Sequence, residues 1–261
     1  MIQWSLAVIA FIGILASANG YCVKHTVNHN DTQYRHYICF RSTDYRESLA
    51  RISADQPTGV MFKFYPVPKI INGSFESHKG ILIDLGFQRC EVTEIDDHAF
   101  KGLINLKMLM LDKNNLQTLK AVWFESLTNL NTLSVTENQL QVLDPEVFVN
   151  VPNLVMLNIG DNKLQCLDMP KFRALTHLKY VGLDFNKWTW KCRAQLTEFL
   201  NNLTDAKKLT RYITCKKCYN VYKECAADQS FDDVNETTFN ACADEKMDKL
   251  VIQENTKDCD D

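Results

Sequence analysis

The sequence predicts an α/β solenoid, a horseshoe whose concave face is a parallel β-sheet and whose two open ends carry disulfide-bonded caps. Three observations predict it. The pattern Leu-x-x-Leu-x-Leu-x-x-Asn-x-Leu recurs at a fixed spacing of 24 residues through three consecutive copies, the signature of one supersecondary unit stacked on itself. Each copy sets two leucines two apart, so both point to one side of a short strand. Eight of the ten cysteines lie outside the repeating stretch, at its two ends.

Residues 1–20 read as a signal peptide. An apolar run from Leu6 to Leu15 precedes Ala18-Asn19-Gly20, a small-residue cleavage site. No Lys or Arg precedes the run, a departure from the usual pattern. The run is shorter than the ~20 residues that span a bilayer, and the acidic C-terminus does not resemble a lipid-anchor signal. A secreted, extracellular chain with no membrane insertion is therefore expected. An even cysteine count suits an oxidising route. So do four acceptor sequons, at Asn30, Asn72, Asn202 and Asn235, none of them on a strand of the regular repeats. Residues 21–57 are expected to form the N-terminal cap, with a Cys22 to Cys39 disulfide closing a small hairpin over the first core layer.

Residues 58–187 hold the repeats, about 5.5 of them. The best copy carries Leu106, Leu109, Leu111, Asn114, Leu116, Leu119, Phe124 and Leu127. The next two repeat it as Leu130, Leu133, Val135, Asn138, Leu140, Leu143, Phe148, Val151 and Leu154, Leu157, Ile159, Asn162, Leu164, Leu167, Phe172, Leu175. A partial copy follows at Leu178, Val181, Leu183 and Asn186; a copy with Cys90 in the Asn place precedes, and before it a degenerate one from Val60 to Phe75. The Asn side chain is expected to hydrogen-bond the turn after each strand and the backbone of its neighbour. The phenylalanines fill the convex side.

Residues 188–225 read as a cysteine-rich C-terminal cap. Trp188-Thr189-Trp190-Lys191-Cys192 leads into a helical pattern through Leu196, Phe199, Leu200 and Leu203. Cys192, Cys215, Cys218, Cys225, Cys242 and Cys259 are expected in disulfides; six cysteines pair in fifteen ways, and a Cys192 to Cys215 bond is favoured because it pins the helix. Cys90 and Cys166 stand three repeats apart, roughly 14 Å at ~4.8 Å per strand, beyond disulfide reach. Cys90 is then a buried thiol, and Cys166 is available to bridge another chain. Residues 226–261 form an acidic tail with one short helix, through Phe239, Ala243, Met247 and Leu250. From Glu224 to Asp261 the charge balance is minus nine, against plus six for the rest, and the basic cluster Lys207, Lys208, Arg211, Lys216 and Lys217 is its expected counterpart.

Catalysis is not indicated. Six histidines are scattered, with no nucleophile elbow, zinc-binding helix or phosphate loop. Cys215-Lys216-Lys217-Cys218 has metal-ligand spacing but lies among cysteines of an exported chain, so neither metal nor cofactor is expected. A nucleic-acid partner is not expected either. What remains is the inner surface. Outward positions stack as Asp84, Met108, Thr132, Met156, Tyr180 and as Met61, Gly86, Met110, Ser134, Asn158, Gly182. Large apolar side chains on a solvated face mark a contact surface, and methionine adapts to varied partners. Met108, Met110, Met156, Tyr180 and Phe185 are the expected partner anchors, with Asp112, Glu137, Asp161 and Asp184 as an acidic margin.

With these repeats the chain resembles secreted extracellular leucine-rich repeat proteins of the 24-residue class. The few repeats, the Trp-x-Cys junction and the segment holding Cys215, Cys218 and Cys225 are similar to short insect leucine-rich immune proteins. That resemblance implies recognition of pathogen surfaces or partnership with complement-like proteins in body fluid, so a protein or pathogen-surface ligand in innate immunity is expected, with the chain a monomer or a disulfide-linked dimer. The chain departs from the family's long members in lacking a C-terminal coiled coil and a clear double-cysteine pair. A matrix or cell-adhesion protein and a secreted receptor ligand or antagonist use the same architecture.

Overall fold

A computed structural model describes residues 20–29, 32–41, 44–203, 207–208, 216–227 and 229–253. The signal-peptide residues 1–19, the sequon Asn30, and Cys215 and Cys259 lie outside the described residues.

An antiparallel hairpin comes first, β1 (Tyr21–His29) and β2 (Thr32–Phe40), then helix α1 (Tyr45–Ala50). The repeats contribute β3 (Thr58–Lys63), β4 (Lys69–Ile70), β5 (Leu82–Gln88), β6 (Glu94–Ile95), β7 (Met108–Met110), β8 (Thr118–Leu119) and β9 (Thr132–Ser134). They continue with β10 (Val142–Leu143), α2 (Glu146–Asn150), β11 (Met156–Asn158), α3 (Met169–Phe172) and β12 (Tyr180–Gly182). Helix α4 (Trp190–Asn202), strand β13 (Lys207–Lys208), α5 (Lys216–Ala226) and α6 (Glu236–Gln253) complete the chain. One sheet runs β1-β2-β3-β5-β7-β9-β11-β12-β13, parallel from β2 onward, and β4–β6 and β8–β10 form two small parallel ladders. This is a leucine-rich-repeat horseshoe with disulfides near its ends.

The stacking follows from burial. Leu85, Leu109, Leu133, Leu157 and Val181 occupy equivalent strand positions, each 0% exposed, and contact the same residue one repeat away. No repeat covers its own apolar side; each is covered by its neighbours, so stability accumulates along the array. Phe124, Phe148 and Phe172 are buried on the convex side, and the last of these packs on Phe199 of α4 with ring centroids 4.8 Å apart.

The asparagine ladder does the polar work in this core. The Asn114 amide donates to the carbonyls of Phe87 (2.8 Å) and Leu111 (2.9 Å), while its oxygen accepts from the N–H groups of Cys90 (3.0 Å) and Val92 (3.1 Å). Asn138, Asn162 and Asn186 repeat the arrangement. Cys90 cannot accept in this way, and the corresponding Val67 N–H turns to the Cys90 carbonyl instead (2.8 Å). Its thiol contacts the carbonyls of Phe62 and Gln88, both at 3.4 Å, and burial pushes its pKa up to about 11, so it stays protonated and inert.

The residue before each ladder position is left-handed: Arg89 (φ 55°), Lys113 (59°), Glu137 (51°), Asp161 (54°) and Phe185 (57°). None is glycine, although this conformation costs an L side chain on the order of 1 kcal/mol. Asp161 is exposed. Asp161→Gly is therefore expected to leave stability unchanged or raise it by about 0.5–1 kcal/mol, read from the denaturation midpoint.

The ends depart from the sequence expectation. Cys22 and Cys39 are bonded, and the hairpin does more than lid the core, because β2 pairs in register with β3 and extends the sheet. Cys166 bonds Cys192, with Cα atoms 5.4 Å apart. This corrects both the expected Cys192 to Cys215 bond and the expected interchain role of Cys166: the loop after Leu164 brings Cys166 beneath the first turn of α4. Cys225 bonds Cys242, joining α5 to α6. Nor is the tail an appendage. Tyr222, Phe231, Phe239 and Met247 form a second core with Ala194 of α4, and α6 is 18 residues long. Acidic residues fasten it: Asp232 pairs with Arg173 (2.5 Å) and accepts from Gln195 (2.7 Å), and Glu224 pairs with Lys246 (2.6 Å). The Arg173 guanidinium holds the Asp232 carboxyl below its ordinary range. The side chains of the expected basic counterpart, Lys207 to Lys217, lie outside the described residues.

Candidate functional site

Strand register fixes which side chains share the concave face. Since Leu109 and its equivalents point inward, their flanking residues point outward. One column reads Val23, Ile38, Met61, Gly86, Met110, Ser134, Asn158, Gly182. The next reads His25, His36, Gly59, Asp84, Met108, Thr132, Met156, Tyr180. A third begins Tyr21, Phe40, Lys63, Gln88. The face thus starts on the hairpin, a contribution absent from the sequence reading. The signal was there: Tyr21, Val23, Val27 and Tyr34, Ile38, Phe40 alternate with period two.

Three glycines flatten this floor. A Cβ at Gly86 would stand 2.3 Å from Met61 Sδ, one at Gly59 2.5 Å from His36 Cδ2, and one at Gly182 2.2 Å from Asn158 Oδ1. Each neighbouring side chain lies across the bare backbone of the next strand. Side chains at these glycines would lift those neighbours toward a partner.

The expected anchors fall into two groups. Met108 and Met110, both half-buried, adjoin Met61 and continue through Ile38 to Val23; the Tyr21 and Phe40 rings pack beside them at 5.4 Å. Met156 and Tyr180 pair directly on neighbouring strands. Thr132 and Ser134 of β9 separate the two groups. Phe185 sits on the rim, 64% exposed, at one end of the left-handed column that Phe64, 54% exposed, begins.

Only two of the four residues of the expected acidic margin, Glu137 and Asp161, are exposed. Asp112 is buried and accepts from Ser134 Oγ (2.6 Å), Thr136 N–H (3.0 Å) and Thr136 Oγ1 (3.2 Å), so it ties its repeat to the next. Asp184 is buried as well, and Glu137 forms an ion pair with Lys113. Asp161 alone of the four is exposed without a salt bridge among the described residues. The column's carboxylate is Asp84, 5% exposed, which accepts from Tyr34 Oη at 2.6 Å. Burial and this carboxylate push the Tyr34 phenol well up. Burial lowers the His36 pKa, with Asp84 opposing, so the neutral imidazole prevails at neutral pH and the floor stays weakly charged.

Asn72, Asn202 and Asn235 are exposed and off the concave strands. Among the described residues no group of three or more His, Cys, Asp or Glu is arranged to hold a metal ion. No helix of the described residues is long and apolar enough to cross a membrane.

The leucine rich repeat family model matches residues 83–140 and 128–187. No curated protein matches significantly. Among solved structures, the chain is similar to the APL1 leucine-rich repeat domain at 25% identity and a TM-score of 0.48, over 52% of this chain and 35% of that one. It is similar to the LRIM1/APL1C complex at 21% identity and a TM-score of 0.48, over 64% and 31%. It is also similar to an internalin of Listeria monocytogenes str. 4b F2365, at 15% identity and a TM-score of 0.49, over 64% and 50%. The chain spans half or less of each of these matched chains. By its own repeats, ladder and sheet, and by the family model across residues 83–187, the chain carries a leucine-rich-repeat domain.

Proposed function

We propose that this chain is a secreted, non-enzymatic binding protein that engages a protein or pathogen-surface partner through its concave face, in innate immunity. The observation that carries the reading is the apolar strip of Val23, Ile38 and Met110 around the buried Met61, with Met108 alongside, on the concave face of the sheet. Such strips mark contact surfaces, and methionines repack around different partners. Disulfide bonding within the cap, the hairpin and the helical end supports an oxidising, extracellular setting.

The test is a non-reducing pull-down from native body fluid with the wild-type chain, followed by affinity measurement on whatever protein or surface polymer it retains. Met110→Lys combined with Tyr180→Ala is expected to weaken binding by about 30-fold or more, the loss typical of central anchors. Ile104→Lys, on an exposed convex site, is expected to change it little. Equal affinity for the concave variant and wild type would discard the reading.

A further inference from the structure

We propose that β1 is the interface of a two-fold homodimer, pairing antiparallel with β1 of a second copy so that the two concave sheets become one. This goes beyond the binding face and does not depend on it. β1 is the outermost strand of the main sheet, and no strand among the described residues pairs with its outer side. Its free hydrogen-bonding groups can be assigned. Cys22 and Cys39 have Cα atoms 3.9 Å apart, the close spacing of a non-hydrogen-bonded pair. Independently, the Arg35 N–H points away from β1 and donates to the Pro57 carbonyl at 3.3 Å, so its partner Thr26 is in the same class. The N–H and C=O groups of residues 22, 24, 26 and 28 therefore face outward in a row.

Edge strands are ordinarily blunted by proline, bulges or repeated charge. β1 has no proline or glycine, one lysine, and nine uninterrupted pairs with β2. The occupant follows from the sequence of the strand. Val23-Lys24-His25-Thr26-Val27 reads valine, polar, histidine, polar, valine in either direction, so the strand is complementary to its own copy in an isologous interface. A two-fold axis at His25 sets Val23 against Val27 of the second copy and Lys24 against Thr26. All nine residues then pair, with no lysine facing a lysine. An axis at Lys24 would oppose the two lysines and leave an end unpaired. Val23, 38% exposed, gains Val27 of the second copy as its cross-strand neighbour, and the concave face stays open. The sequon at Asn30 lies beyond the last pair.

The test is sedimentation velocity with light scattering on the secreted protein across a concentration series. A reversible dimer is expected. Thr26→Pro removes an outward N–H without touching the β2 ladder, so dimerisation is expected to weaken about tenfold or more with the far-ultraviolet spectrum and melting temperature unchanged. His25→Cys adds a reading that survives any disturbance of the hairpin. Facing residues at the axis sit about 4.5 Å apart, so an interchain disulfide is expected on mild oxidation, whereas Tyr21→Cys at the strand end gives none. A wild-type chain monomeric throughout the series overturns the proposal. So does a dimer that persists in Thr26→Pro and fails to cross-link through His25→Cys, or one that cross-links equally at both cysteine positions.

Discussion

Asn138→Ala is expected to lower the unfolding free energy by about 3–5 kcal/mol, a large effect for a residue outside the leucine core. The Asn138 amide donates to the carbonyls of Leu111 (2.8 Å) and Val135 (3.1 Å), and its oxygen accepts from the Leu116 N–H (3.1 Å). The residue is 8% exposed, so water cannot replace those partners once they are removed. Each stranded buried group costs roughly 1–3 kcal/mol. The loss is also misplaced for the fold: the bonds join one repeat to its predecessor, where a solenoid keeps its cooperativity. Chemical denaturation under oxidising conditions is expected to show a lower midpoint together with a shallower slope, as the two halves of the array begin to unfold apart. Asn115→Ala, on an exposed residue beside the ladder, is expected to cost less than about 0.5 kcal/mol. A loss below about 1 kcal/mol for Asn138→Ala would show that the ladder does not bind repeat to repeat.

The repeats were legible because two periods coincide in them, the two-residue alternation of Leu-x-Leu and the 24-residue recurrence of the whole pattern. The stacking of Met108, Met110, Met156 and Tyr180 could be read for the same reason: parallel strands of fixed spacing leave no freedom of register. The hairpin's share of the concave face was missed because Val23 and Ile38 lie outside the repeat, where nothing periodic says which strand adjoins which. The acidic residues were misread differently. Composition gives the sign of a charge but not its partner, and Asp112 and Asp232 look alike in sequence whether they face solvent, Ser134 or Arg173. The Cys22 to Cys39 bond was legible because both cysteines sit in one short hairpin, but the C-terminal pairing was not: Cys166 meets Cys192 only because α4 folds back over the last repeats, a long-range placement that spacing does not encode.

That disulfide carries the second large expected effect. Cys166→Ser combined with Cys192→Ala is expected to cost about 3–4 kcal/mol, the chain-entropy value for a bridge across 26 residues. The cost should be local. α4 covers the open end of the array with Leu196 and Leu200, both 0% exposed, and with Phe199 against Phe172. It also supplies Ala194 to the second core, so among the described residues it is the element shared by both. Without the bridge, α4 is held at its start by the Thr189 cap and the Trp188 indole, which donates to the Leu183 carbonyl at 2.9 Å. Hydrogen exchange is expected to rise first in α4 and β12 while β5 and β7 keep their protection, because beyond the last repeat β12 has only the two-residue β13 beside it and α4 over its core. Peptide mapping without reduction is expected to recover Cys166 linked to Cys192 of the same chain. A peptide joining Cys166 to another chain, or a double variant with an unchanged midpoint, would mean that the end of the horseshoe is closed by packing alone, with Cys166 free to act between molecules.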